Sequence, residues 1–191
     1  MSEQPNHFSL LIGQIWSAYK KQFTRIEVPA KTDLLKEGET AQKMFFIETG
    51  SVRVWHNHNG RDITCQFFFE NNMVSSIESF KKDIVSPITI QTIEACVIWW
   101  IDKREMKKII EEMKEVPQLR DMLVDALFER TFDYIKHFTT YILNTPEQRY
   151  LQVLRDRPEL VQRIPQHYIA SYLGITSVHL SRIKNKLAKG K

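Results

Sequence analysis

The spacing of apolar positions changes twice along the chain. Phe8, Leu11, Ile15, Tyr19 and Phe23 recur at near-helical intervals, so a short amphipathic helix leads in. From Thr24 to about Ile101 the spacing shortens to that of strands. Runs rich in β-branched and aromatic residues occupy 44–47, 52–55, 63–69, 88–93 and 96–101, residue types that suit a pleated, half-buried surface. Asn59-Gly60 is the two-residue signature of a tight hairpin, and Thr49-Gly50-Ser51 and Gly38 mark further turns. Many short strands joined this way predict a sandwich or jelly roll.

After Ile101 the helical spacing returns. Residues 102–113 set Met106, Ile109, Ile110 and Met113 at helical intervals, Pro117 interrupts, and a longer helix is predicted over 118–143. It carries two apolar seams, one of Leu127, Tyr134 and Tyr141, the other of Phe128, Phe132, Ile135, Phe138 and Ile142. Together they are wider than one packing face needs. Either one seam covers the β domain while the other meets a second subunit, or the helix is fully buried in a monomer. Thr145-Pro146-Glu147-Gln148 then supplies an N-cap, a proline in the first turn and the glutamine of a capping box, so a new helix starts there. Its buried face is Tyr150, Leu151 and Leu154, and Arg157-Pro158 ends or bends it.

The last stretch reads as a helix-turn-helix. A short helix over 166–173, opened by Pro165, buries Ile169, Ala170 and Leu173. Gly174 ends it, since only a residue tolerant of positive φ closes a helix so abruptly. Thr176 caps a second helix running to about Leu187, with Leu180, Ile183 and Leu187 facing inward and Ser177, Val178, Ser181, Arg182 and Asn185 outward. Reading DNA needs such a face: short side chains that let the helix sink into the major groove and a long fork that reaches a base edge. Arg182 is the candidate reader, and Thr176, His179, Lys184 and Lys186 lie where phosphate contacts would fix register.

Charge strengthens that reading over an ordinary helical hairpin with a solvated basic face. The 191 residues carry a net +4, but residues 143–191 hold nine basic and three acidic side chains, while residues 1–142 are net negative. From Ile164 onward five Lys or Arg stand with no Asp or Glu, so a polyanion would meet the tail and not the body. Hydrophobic residues make up 42% of the chain, ample for one large or two modest domains. With no apolar run of about 18 residues and no signal-type N-terminus, the expected location is the cytoplasm, without membrane contact. Two cysteines, Cys65 and Cys96, are too few for a structural zinc or an iron–sulfur cluster on their own, and both sit in strand-like runs as expected buried thiols. His56 and His58 share a strand face beside a hairpin tip without a third ligand, so no metal site is expected.

A β-roll, one long helix and a C-terminal helix-turn-helix, in that order, resemble the Crp/Fnr family of bacterial transcription regulators. The resemblance covers nearly the whole chain and is carried by 34–39, 45–54 and Gly60-Arg61 in the roll and by 170–176 with 180–183 in the hairpin. It implies an α+β fold in three parts: an N-terminal jelly-roll effector-type domain over 1–116, a dimerisation helix over 117–143, and a winged helix-turn-helix domain over 144–191. It further implies a homodimer paired through 118–143, double-stranded DNA as partner with RNA polymerase nearby, and a near-palindromic site read by two helices about 34 Å apart. The family's DNA-contacting places fall on Thr176, Ser177, Val178, His179 and Arg182, with Lys184, Asn185 and Lys186 alongside. Val178 stands where nucleotide-responsive members often carry Glu; it touches a thymine methyl but accepts nothing from cytosine, so the target sequence should differ.

The phosphate-binding cassette departs from the family. Cyclic-nucleotide binders use a Gly-Glu pair for the ribose and an Arg-Ser or Arg-Ala pair for the phosphate, whereas this chain has Ser75-Ser76 and Ser86-Pro87 at the nearest positions and no arginine between Arg61 and Arg104. Cyclic AMP is therefore not expected, and Ser75, Ser76, Glu78 and Ser86 remain to line a differently specific pocket for an unidentified effector. No cysteine precedes Cys65, so the iron–sulfur cluster of the family's redox branch is not expected either. The leading expectation is a sequence-specific transcription regulator. The alternative is a small-molecule-binding module whose basic tail docks a protein or binds nucleic acid without sequence choice. The sequence shows no paired acid and base, nucleophile elbow or P-loop, so catalysis is not expected.

Overall fold

The computed structural model describes residues 7–189, with side chains from Leu10 onward, so the Phe8 side chain lies outside the described residues. Helix α1 (His7–Tyr19) and a 3-10 turn (Lys20–Gln22) lead into two four-stranded antiparallel sheets. The first has the order β1 (Thr24–Val28), β8 (Cys96–Asp102), β3 (Lys43–Thr49), β6 (Met73–Val74). The second has β2 (Asp33–Leu35), β7 (Thr89–Thr92), β4 (Val52–His58), β5 (Arg61–Phe68). They face each other as a jelly roll, closing over Leu35, Ile47, Val52, Val54, Ile90 and Ile98. The hairpin at Asn59-Gly60 forms as the sequence predicts, both residues at positive φ and His58 opposite Arg61. The strands β1, β2 and β6 and the one-and-a-half-turn helix α2 (Ile77–Lys82) have no clear signal in the apolar spacing.

In β3, Phe45, Phe46 and Ile47 are buried in succession, which alternation alone would forbid. The pleat sends Phe46 to the outer face, where α1 covers it: the Trp16 ring stacks on Phe46 at 4.2 Å and meets Trp99 edge-on at 5.0 Å. The same division separates Phe68, in the roll's interior, from its neighbour Phe67, which belongs to a second core on the outside.

Four helices complete the chain after α3 (Lys103–Glu115) and α4 (Pro117–Leu143): α5 (Pro146–Asp156), α6 (Pro158–Arg163), α7 (Gln166–Tyr172) and α8 (Ser177–Lys189). Local chemistry sets their starts. Asp102 accepts from the Arg104 N–H to cap α3, and Thr145 and Gln148 form the full capping box of α5. Pro158 does not merely bend α5; it takes the first turn of the separate α6. The core of this helical region holds Tyr150, Leu160, Ile169, Leu173, Leu180 and Ile183 and includes Phe67 and Ile93 of the roll, so it is built on the roll's outer face. Leu151 and Leu154, expected inside α5, are exposed, and Val153 takes the inward place beside Tyr150. The wing expected of the helix-turn-helix is not found: helical spacing continues through Lys189, and no strand follows β8 among the described residues.

The two seams of α4 separate. Its first turns pack on α1 and α3 through Leu119, Met122, Leu123 and Ala126. Beyond them Tyr134 and Tyr141 turn toward the roll and α5, while Leu127 stays exposed. The second seam is bare: Phe128, Phe132, Ile135, Phe138 and Ile142 are all 56–67% exposed. A helix buried on every side is thereby excluded for the single chain. Cys96 is buried, its thiol pushed up to about 11 by desolvation, and Cys65 is half-buried; both are free. His56 uses its Nδ1–H to donate to the Pro87 carbonyl at 2.7 Å. Among the described residues no three metal-ligating side chains gather, and no helix is long and apolar enough to cross a membrane.

Candidate nucleic-acid interface

Helices α7 and α8 meet at a turn closed by Gly174, with φ +68°. The Gly174 N–H donates to Ser171 and the Ile175 N–H to Ala170, so the final carbonyls of α7 are satisfied by the glycine turn. A second constraint falls on this position, because a Cβ added to Gly174 would collide with the Tyr141 hydroxyl of α4. Thr176 caps α8: its hydroxyl accepts the His179 N–H at 3.2 Å, and its carbonyl accepts the Leu180 N–H.

On α8, Leu180 and Ile183 are buried against α7. The opposite surface is a continuous stripe of Val178, Arg182, Asn185 and Lys189 at spacings of three and four, all exposed. Arg182, Asn185, Lys186 and Lys189 border one shallow groove. Ser177 and Lys184 flank the stripe on one side, His179 and Lys186 on the other. Lys186 also reaches back to Glu147 at 2.6 Å in the first turn of α5. Lys189 lies beyond the sequence-predicted end of the helix at about Leu187, and it continues the stripe four residues after Asn185.

This helix pair is held against the roll by contacts far apart in sequence. The Ser171 hydroxyl of α7 donates to the Asp62 carbonyl at 2.6 Å and accepts the Thr64 N–H at 2.8 Å, both on β5. Arg53 of β4 lies 3% exposed beneath α7. Its guanidinium sits 3.9 Å from the Tyr168 ring and donates to Gln91 at 2.8 and 3.0 Å and to Asp62 at 2.7 Å. Arg163 of α6 forks onto Glu70 with two 2.7 Å hydrogen bonds and reaches Glu94 at the same distance.

The Arg163 fork, helped by N–H donation from Gly50, lowers the Glu70 carboxyl from 4.5 to about 2. A carboxyl depressed in the folded state contributes fully above its ordinary pKa and loses that contribution as pH falls toward the depressed value. Glu70→Gln should therefore lower the melting temperature at pH 7, with the gap to the natural protein closing between about pH 4.5 and 2. A gap that stays constant over that range would show that the charge of Glu70 does not hold α6.

Two of the three serines expected to line an effector pocket bond backbone groups. The Ser75 hydroxyl donates to the Lys43 carbonyl, and the Ser86 hydroxyl donates to the Ile88 carbonyl while accepting the Ile88 N–H. Ser76 is buried at the start of α2, and Glu78 points outward to pair with Lys82 at 2.6 Å. For a cyclic phosphate the fit is poor: the segment offers exposed Lys81 and Lys82 and no guanidinium, and Pro87 has no N–H to give.

Residues 25–113 match the family model of the cyclic nucleotide-binding domain. Among solved structures, the chain resembles CLP of Xanthomonas campestris, a c-di-GMP responsive global regulator, with 16% identity, a TM-score of 0.73, and 93% of this chain and 92% of that one covered. CooA of Carboxydothermus hydrogenoformans superposes with a TM-score of 0.70 at 18% identity, covering 97% and 85%. FixK2 of Bradyrhizobium japonicum gives 0.68 at 17%, covering 88% and 85%. No curated protein matches the sequence. The fold is thus a cyclic-nucleotide-binding type of β-sandwich followed by a helical region, as in these solved structures.

Proposed function

We propose that this protein is a sequence-specific DNA-binding transcription regulator of Crp/Fnr type that acts as a homodimer. The observation that carries the reading is the exposed stripe Val178, Arg182, Asn185 and Lys189 on a helix whose other face is buried against α7. Short and apolar groups lead the helix, a guanidinium fork sits one turn in, and lysine ends it, with no carboxylate on α8 to repel phosphate. The bare seam of α4 is the pairing surface that would set two such helices in successive major grooves. In this reading 1–116 is the effector-type domain, 117–143 the dimerisation helix and 144–191 the DNA-binding domain.

Arg182 reads a base edge, guanine being the fitting partner for its fork. Selection of genomic fragments by the purified protein at near-physiological salt should enrich one near-palindromic site. Arg182→Ala should then lose about 1–3 kcal/mol of discrimination at one base pair of each half-site, measured by competition between the selected site and single-base variants. Unchanged base preference would remove Arg182 from the role of reader.

A further inference from the structure

A cavity of about 370 Å³ lies between β5, the inner face of α4, α5 and the end of α7, within the size range of small-molecule sites. It is separate from Ser75, Ser76, Glu78 and Ser86, none of which lines it. Its wall combines ring faces and cations. Phe68, Tyr134 and Tyr141 supply the rings, with the Arg130 guanidinium over Phe68 and Tyr134 and that of Arg149 over Tyr141; Lys136 and Arg157 add positive charge, and Asp133 and Asp156 are the two carboxylates of the lining. One of those carboxylates is already engaged, since Asp156 accepts from Arg155 at 2.7 Å. The Arg149 Nη1 donates to the Tyr141 carbonyl at 2.9 Å, and its Nε is buried with no hydrogen-bond partner, a state that costs free energy unless an acceptor meets it. Burial first, and Arg157 second, lower the His137 pKa, which favours its neutral ring. Its Nδ1 lies 3.3 Å from the Tyr172 hydroxyl.

We propose that this cavity is an effector site for a small aromatic anion, a ring carrying a phosphate or carboxylate. The rings take the planar part, and Arg149 with Lys136 takes the oxyanion. The position gives such a ligand a regulatory role, which rests on the DNA-binding reading, although binding itself does not. Tyr172 and Leu173 of the wall immediately precede the Gly174 turn into α8. The helix face that lines the cavity through Tyr134, His137 and Tyr141 lies opposite the bare seam. An occupant therefore touches the roll, the long helix and the recognition unit at once, and shifts whichever arrangement it contacts better.

The test uses the full-length protein without DNA, with 1-naphthyl phosphate as probe and uncharged 1-naphthol as its control, by calorimetry and hydrogen exchange. The expected result is saturable binding of the phosphate, at least about tenfold tighter than the naphthol, with slowed exchange in β5, the second half of α4 and α7. Lys136→Gln, an exposed substitution that spares the core, and Arg149→Gln should each weaken binding about tenfold or more, the loss expected of a charge-assisted hydrogen bond. No saturable binding, equal affinity for both probes, or binding unaffected by Lys136→Gln would overturn the proposal. Because DNA is absent, a failed operator selection leaves this outcome readable, and a failed probe leaves the operator result intact.

Discussion

Phe132→Asp combined with Ile135→Asp should convert the proposed homodimer to a monomer while leaving the chain folded. Both side chains are more than half exposed in the single chain and stand in the middle of the bare α4 seam, with Phe128 stacked near Phe132 at a ring separation of 6.2 Å. A soluble protein rarely leaves so long an apolar stripe in water unless something covers it. In the proposed homodimer a twofold pairing would cover it with its own copy, so each substitution would act twice. Each lost aromatic or aliphatic burial removes about 1.5–3 kcal/mol, and each carboxylate placed in an apolar seam adds a desolvation cost of the same order. The sum exceeds about 4 kcal/mol, which weakens dimerisation by at least roughly 1,000-fold. Sedimentation velocity at micromolar concentration reads the change, with far-UV circular dichroism as the fold control. DNA affinity should fall with it, since a monomer presents one half-site reader. Identical sedimentation of the double variant and the natural protein would reject pairing through this seam.

The same helix shows where sequence reading works and where it stops. Its start at Pro117, the capping box at Thr145 and Gln148, the Asn59-Gly60 hairpin and the Gly174 turn are decided by residues within four positions of one another, so local chemistry predicts them. The width of the apolar surface on α4 was also legible, but not which seam faces what, because that depends on where the roll and α5 come to lie. The contacts that dock α6 and α7 on the roll were illegible for the same reason. Ser171 meets Thr64 across 107 residues, and Arg163 meets Glu70 across 93. Nothing in the neighbourhood of Arg53 announces a buried arginine, because its partners Gln91, Asp62 and Tyr168 come from three other elements. The cavity is built from four such elements, and its lining residues look like ordinary helix surface in the sequence. Motif position carries no information about the hydroxyls of Ser75 and Ser86, which donate to the carbonyls of Lys43 and Ile88.

Gly50→Ala should be strongly destabilising for so small a substitution, and its effect reaches α6 and α7. Gly50 lies in the turn between β3 and β4 at φ +101°, beyond even the region that Asn and Asp tolerate, so any side chain is strained there by about 1–3 kcal/mol. Space is lacking as well. A Cβ would stand 2.5 Å from the Cys96 Sγ and 2.9 Å from the Ala95 carbonyl oxygen. The thiol cannot retreat freely, because Cys96 is buried with its single S–H shared between the carbonyls of Glu94 and Ser51, and overpacking of this kind costs about 1–3 kcal/mol more. A combined loss on the order of 3 kcal/mol lowers the melting temperature of a chain this size by roughly 6–12 °C. Gly13→Ala is the matched control: it sits in α1 with open space around it, and alanine in a helix should be neutral or stabilising by about 0.4–1 kcal/mol. Adding Cys96→Ala to Gly50→Ala should recover the part due to the thiol and leave the part due to φ, separating the two in a double-mutant cycle. The functional consequence follows from the Gly50 N–H, which donates to Glu70 at 2.9 Å, the carboxylate that grips Arg163. Distortion of the turn withdraws that donor, so exchange protection in α6 and α7 should fall by more than in the remote helix α3. Melting of Gly50→Ala within about 2 °C of the natural protein, on the order of 1 kcal/mol or less, would show that the turn yields without strain and that the link from it to Arg163 carries no load.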